Sequence, residues 1–210
     1  MKLFLSSIRL PNKDEQAKLF GDKKHVSVVV IPNAWDTYPE DKQKAELTNT
    51  ISNFKDLGYQ PTILDLVASS DKLRRDSVLT SDFVWFTGGN SFYLNYQVQK
   101  AGFDTLLKEA LDKGIVYGGT SAGAVIACPT LHGVENADNP NDAPQVIWGG
   151  LKLVDFGIVP HWGMEKYADK LEKMADEMRP YVSQLVTLTN EQAAIVIDGV
   201  LEVAGTLLTS

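Results

Sequence analysis

Val26 to Ile31 reads VSVVVI, a run dominated by β-branched side chains and closed by Pro32. A strand that is apolar on both faces has no side to give to water. Such a segment belongs inside a sheet covered above and below. Leu3-Phe4-Leu5, Thr62 to Leu66 (TILDL), Phe83 to Phe86 (FVWF) and Ile115-Val116-Tyr117 are further short runs of this type. Segments with helical spacing lie between them. One runs from about Pro39 to Leu57 and ends at Gly58, a natural C-cap. Another runs from Phe92 to Leu111, broken near Gly102, and Ala122 to Cys128 reads as a short buried helix. Strands alternating with helices imply right-handed crossovers. The expected fold is α/β, a doubly wound, mostly parallel sheet with helices on both faces.

The second half adds detail. Leu131 to Pro144 is rich in Asn, Asp and Pro and reads as a surface loop. Phe156 to Pro160 looks like a strand end, and Met164 to Met178 carries helical periodicity. The tail alternates through Leu185 to Leu188, Ala193 to Ile197 and Val200 to Val203. Asp198-Gly199 between the last two runs signals a C-terminal β-hairpin. The 210 residues fit one domain, 1–210.

Composition narrows the partners. A formal net charge of -7, with no long run of Lys and Arg, argues against nucleic acid or an anionic membrane. A single cysteine, Cys128, rules out an intrachain disulfide and favours a reducing compartment. The N-terminal apolar run is too short for a signal peptide, and no stretch is long enough to span a membrane. The expected location is cytoplasmic. No His/Cys/Asp cluster has metal-ligand spacing, and there is no P-loop or G-x-G-x-x-G. Neither metal nor cofactor is expected. Oligomeric state is left open.

In open α/β sheets, ligands collect at the carboxyl ends of strands. Three features fall at such ends. Gly119-Thr120-Ser121-Ala122-Gly123 matches G-x-S-x-G between a strand and a helix. There a serine can be held on a sharp, strained turn with its hydroxyl exposed, provided its neighbours are small. The plainer reading is a serine that caps the helix. The strand before and the helix after favour a nucleophile. The amide of Ala122, at the helix start, would then face a developing oxyanion. Gly88-Gly89-Asn90 follows FVWF. If its strand is adjacent, the Gly89 amide becomes a second oxyanion donor. Asn90 is expected to cap the next helix and is assigned to substrate as well. Pro160-His161-Trp162 is the third feature. His25 lies in a lysine-rich turn and His132 in the polar loop, which makes His161 the expected general base. An acid should orient its imidazole. Glu135, Asp138, Asp142, Asp155 and Glu191 all follow the serine, and spacing does not choose among them. Cys128 reads as core.

Together these residues resemble peptidase family S51, the group of aspartyl dipeptidase and cyanophycinase, with a fold like class I glutamine amidotransferases. The markers are F-T-G-G-N (86–90), G-T-S-A-G-A (119–124) running into A-C-P-T (127–130), V-P-H (159–161) and N-E-Q-A (190–193). The resemblance implies a serine peptidase with Ser121 as nucleophile, His161 as base and Glu191 as third member. An aspartate in the loop after the serine is the family's other proposal for that place, and here the loop offers Glu135 and Asp138. Gly89 and Ala122 match the oxyanion-hole positions. The implied substrate is a small peptide, such as a dipeptide with an N-terminal acidic residue. Dipeptidase members often carry Trp before the serine and Asn three residues after the alanine, where this chain has Thr120 and Val125. An acidic side chain needs a cation, for which Arg74, Arg75, Lys166 and Arg179 are available. Two other readings stand beside this one. The first is an α/β-hydrolase esterase, which shares G-x-S-x-G but places its acid before the histidine. The second is a non-catalytic amidotransferase-like domain that binds a small molecule or a partner.

Overall fold

A computed structural model describes residues 1–205. In chain order the elements are β1 (Lys2–Ser6), α1 (Lys13–Phe20), β2 (Val26–Ile31), α2 (Glu40–Asp56), β3 (Tyr59–Ile63) and α3 (Asp71–Leu79). Then come β4 (Phe83–Phe86), α4 (Ser91–Lys100), α5 (Phe103–Asp112), β5 (Val116–Thr120) and α6 (Ala122–Val125). The last are β6 (Gly157–Val159), α7 (Ala168–Met178), β7 (Leu185–Thr187), β8 (Ala193–Ile197) and β9 (Val200–Ala204). Seven strands form one sheet in the order β3-β2-β4-β5-β1-β8-β9. The first five are mutually parallel, while β8 and β9 run antiparallel at one side. The expected doubly wound α/β architecture and C-terminal hairpin are therefore present. Asp198 and Gly199 take positive φ values of 49° and 85° in the hairpin turn, the conformation that two-residue connections need.

Both faces of the sheet are buried, as the continuous apolar strands require. Val29, Ile31, Val84, Phe86 and Tyr117 point to one core, packed under α3, α4, α5 and α6. Val28, Val30, Phe83, Trp85 and Val116 point to the other, under Leu19 of α1 and Phe54 of α2. The side chains alternate between the cores because strand periodicity is two.

The structure departs from the sequence reading in four places. The run Thr62 to Leu66 is strand only as far as Ile63. Leu64 and Leu66 are buried beyond the strand end, where Asp65 accepts from the amides of Val67 and Ala68 and turns the chain. Helix α6 stops at Val125 rather than Cys128. The carbonyls of Ile126, Ala127 and Cys128 instead accept from the amides of Leu151, Leu153 and Lys152. Helices α1 and α3 are additional. Asn12 and Glu15 form a capping box at α1, and Ser70 caps α3. Finally, β6 does not join the main sheet but pairs with β7 in a separate two-stranded parallel sheet. Among the described residues, no helix is long and apolar enough to cross a membrane.

The small residues around β5 and α6 have a specific cause. A Cβ on Gly119 would lie 2.4 Å from the Gly123 carbonyl carbon, and one on Gly123 would lie 2.3 Å from the Phe86 carbonyl oxygen. Tyr117 Oη donates to the Gly123 carbonyl at 2.6 Å and fixes α6 against the strand end. The obstructing atoms are backbone and have little room to yield. Gly119→Ala should therefore destabilise the protein by about 1–3 kcal/mol in urea denaturation. Gly149→Ala, which opens into free space, should stay within about 0.5 kcal/mol of the parent.

Candidate active site

Adjacent parallel strands bring their following loops together at one sheet edge. β4 and β5 are neighbours, so the Gly88-Gly89 turn meets the turn after β5. The Gly88 amide donates to Thr120 Oγ1 at 3.0 Å, which ties the two turns directly. At the end of β5 Ser121 adopts φ 46° and ψ -107°. A non-glycine residue with positive φ carries backbone strain, on the order of 1–3 kcal/mol. The surroundings hold it there. The Ser121 amide donates to the Ser6 carbonyl at 2.9 Å, and its carbonyl accepts from the amides of Ala124 and Val125. Its side chain makes no cap hydrogen bond, so the simple capping reading does not describe it.

The hydroxyl is used elsewhere. His161 Nε2 lies 3.0 Å from Ser121 Oγ. His161 is also strained, with φ 62°. Its amide donates to Ser7 Oγ at 3.0 Å, and Ser7 Oγ donates to the Leu188 carbonyl at 2.9 Å. The next amide, that of Trp162, reaches the same Leu188 carbonyl. The histidine is thus fixed between the end of β1 and the segment after β7. Ser7 is a supporting residue that nothing in its sequence neighbourhood announces.

Asn190, not Glu191, stands behind the imidazole. Asn190 Oδ1 lies 2.9 Å from His161 Nδ1. An amide oxygen only accepts, so Nδ1 is the nitrogen that donates to it, and in the neutral imidazole that tautomer turns the Nε2 lone pair toward Ser121. The side chain of Glu191 is exposed, and its backbone carbonyl accepts from Arg9 Nε. The reason is local. Thr189 to Gln192 closes a turn through the Gln192 amide and the Thr189 carbonyl at 3.0 Å, and the Gln192 side chain accepts from the Thr189 amide. Asn190 and Glu191 are the two central residues of that turn. The first faces inward and the second outward. Glu135, Asp142 and Asp155 are also exposed. Asp138 is partly buried and lines the cavity beside Ser121 without hydrogen bonding to His161.

The two residues expected to donate to an oxyanion lie beside Ser121: Gly89 lines the same cavity, and Ala122 is the next residue in the chain. Gly89 has φ 135°, and a Cβ there would lie 2.3 Å from the Ala34 carbonyl oxygen, so only glycine fits. Among the described residues no acceptor meets its amide. Ala122 opens α6, and a helix's first amide has no acceptor within its own helix. Asn90 departs from its expected substrate role. It is buried, its Oδ1 caps α4 by accepting from the Tyr93 amide, and its Nδ2 donates to the Asn139 carbonyl and to Asp142 Oδ2. Its Nδ2 holds the 139–142 turn against α4, and the side chain does not line the cavity at Ser121.

The cavity at Ser121 measures about 460 Å³, within the range of small-ligand sites. Gly89, Ser91, Asp138, His161 and Asn190 line it, with Val125, Val134, Leu171 and Met174 as apolar wall. None of Arg74, Arg75, Lys166 or Arg179 reaches it, and Lys170 does. Arg74 and Arg75 bond on the α3 side of the protein, to Ser69 and Glu109. His132 is stacked between Trp148 and Tyr181, at ring separations of 4.5 and 4.4 Å, and His25 is exposed. Burial pushes the Cys128 thiol up to about 12, as a core residue requires.

The family model for peptidase family S51 matches residues 7–203. The chain belongs to peptidase family S51. It is 30% identical to the uncharacterized peptidase Lin0382 of Listeria innocua, over 68% of each chain. It is 31% identical to peptidase E of Salmonella arizonae, over 76% of this chain and 68% of that one. A Listeria monocytogenes protein provisionally titled peptidase E superposes over 98% of both chains, with TM-score 0.84 and 23% identity. That solved structure has the same fold.

The S51 site makes a clear distinction between two adjacent residues. Asn190→Ala should slow modification of Ser121 by a fluorophosphonate about 100-fold, because the imidazole loses its orienting acceptor. Glu191→Ala should stay within about threefold of the parent, since exposed side chains away from the reacting groups contribute little. Both are measured as second-order inactivation rates by intact mass.

Proposed function

We propose that the protein is a serine peptidase that hydrolyses short peptides, with Ser121 as nucleophile and His161 as general base. The observation that carries this reading is the pair of hydrogen bonds at one imidazole, 3.0 Å to Ser121 Oγ and 2.9 Å to Asn190 Oδ1. His161 Nε2 takes the hydroxyl proton as Oγ attacks the scissile carbonyl. The amides of Gly89 and Ala122 receive the negative charge that forms on the carbonyl oxygen. The imidazolium then protonates the leaving amine, which departs and leaves an acyl-enzyme on Ser121. Water, deprotonated by His161, hydrolyses that ester and restores the hydroxyl. Asn190 fills the place expected for Glu191. A neutral amide fixes the tautomer as a carboxylate does, as in the Cys-His-Asn arrangement of other hydrolases.

Several features support this over the alternatives. The chain order is Ser121, His161, Asn190, whereas α/β-hydrolase esterases place the orienting acid between serine and histidine. A domain that only bound ligands would have no need of strained backbone at both Ser121 and His161. The cavity is the size of a short peptide rather than a cleft for a folded chain. An N-terminal acidic residue would have to be read by Lys170, an exposed lysine among the lining residues. In this reading the whole chain works as one domain in the cytoplasm, on a small peptide. The buried free thiol of Cys128 suits a reducing compartment.

Wild-type protein should release free amino acids from dipeptides, followed by amine derivatisation and chromatography. Ser121→Ala and His161→Ala should each lose about 10⁴-fold or more in kcat. Full activity in Ser121→Ala would remove the nucleophile from this account. Turnover of p-nitrophenyl esters with none of any peptide would favour the esterase.

A further inference from the structure

The cavity at Ser121 carries two chemistries that the catalytic groups do not use. The first is an apolar wall. Val125 lies one turn after Ser121 on α6, and Val134, Leu171 and Met174 join it from the loop and from α7. All four are at most 4% exposed and belong to one hydrophobic cluster, yet each contributes surface to the cavity. An apolar side chain of a ligand placed there would lose its water contact against a wall that is already dry.

The second is a carboxylate. Asp138 lines the same cavity, four residues after Val134. Its Oδ2 accepts from the Ser91 amide at 2.8 Å, which fixes its position at the start of α4. Burial raises its pKa, against the lowering effect of Ser91 and of the His161 charge, and neighbouring Asp142 raises it further. Among the described residues no lysine or arginine pairs with it. A carboxylate held in a partly dry cavity with no lysine or arginine paired to it is unfavourable, and a cationic ligand group would relieve that cost. In a peptide, the α-ammonium lies two bonds from the carbonyl carbon of the first residue. Its anchor must therefore line the same cavity as the nucleophile, as Asp138 does.

We infer that the site takes short peptides with a free N-terminus and an apolar first side chain, with Asp138 binding the α-ammonium and Val125, Val134, Leu171 and Met174 receiving the side chain. This rests on the peptidase reading for its chemistry, but the binding preference stands on the cavity itself. An acidic first side chain would put a second anion beside Asp138, with exposed Lys170 as its partner. Such a pair in water is weak.

The test uses the full chain carrying Ser121→Ala, so that binding is read without turnover. Calorimetry compares methionyl-leucine, N-acetyl-methionyl-leucine and aspartyl-leucine. The free methionyl peptide should bind about 30-fold or more tighter than its acetylated form, because acetylation removes the charge partner of Asp138. It should bind about 10-fold or more tighter than aspartyl-leucine. Adding Asp138→Asn should abolish the difference between free and acetylated peptide. Equal binding of the acetylated peptide, tighter binding of aspartyl-leucine, or no binding of any of the three would overturn the inference. Hydrolysis of the same peptides by the wild type separates the two claims. Intact binding preferences with no turnover count against the peptidase reading alone. Efficient cleavage of aspartyl-leucine in preference to the methionyl peptide counts against this inference alone.

Discussion

The hydrogen bond between Ser121 Oγ and His161 Nε2, 3.0 Å long, joins two separate parts of the fold. Ser121 ends β5 in the centre of the seven-stranded sheet, and His161 follows β6 in the two-stranded sheet. Bringing the two side chains together fixes the relation between the sheets to within a hydrogen bond. Neither backbone is relaxed at the meeting point, since both residues have positive φ. The strain persists because each amide is tied to a residue at or just after the end of β1, Ser121 to Ser6 and His161 to Ser7. The end of β1 therefore anchors both strained residues.

Close packing around the serine has the same logic. A sheet that is buried on both faces must have its helices near its surface. α6 comes so near that Gly119 and Gly123 leave no room for a Cβ, and Gly89 leaves none beside Ala34. The approach brings the amides of Gly89 and Ala122, which meet no acceptor among the described residues, to the turn that holds the hydroxyl. The missing side chains at Gly89, Gly119 and Gly123 are what let the backbone approach so closely. The loop from Asn136 to Asp142 then closes the cavity from the side, held by Asn90 and Ser91 at the start of α4.

Much of this was legible in the sequence, and the misses have physical causes. The strands at 26–31 and 83–86 were readable to the residue, because continuous apolar runs have only one place to go. The meeting of Ser121, His161 and Gly89 at one edge was readable because each follows a strand end, and chain direction there decides where it lies. The inward face of the 189–192 turn was not. Asn190 and Glu191 are adjacent, a carboxylate is the commoner partner of a histidine, and only the turn's closure decides which side chain points in. Asn90 was misassigned for a related reason. A helix cap and a substrate ligand call for the same residue type at the same place, and the neighbouring loop consumed its remaining hydrogen bonds. The strand at Thr62 to Leu66 was displaced because Leu64 and Leu66 are apolar for burial under a turn rather than for pairing. Ser7 lay beyond sequence reasoning altogether, since its role exists only once residues 7, 161 and 188 meet.

The most direct measurement is a crystal structure of the protein after reaction with a dipeptide-like phosphonate, a tetrahedral mimic of the acyl-transfer intermediate. The account predicts phosphorus bonded to Ser121 Oγ and one phosphonyl oxygen about 2.7–3.1 Å from the amides of both Gly89 and Ala122. Asn190 Oδ1 should remain on His161 Nδ1. Phosphorus on another residue, or an oxyanion turned away from both amides, would contradict it.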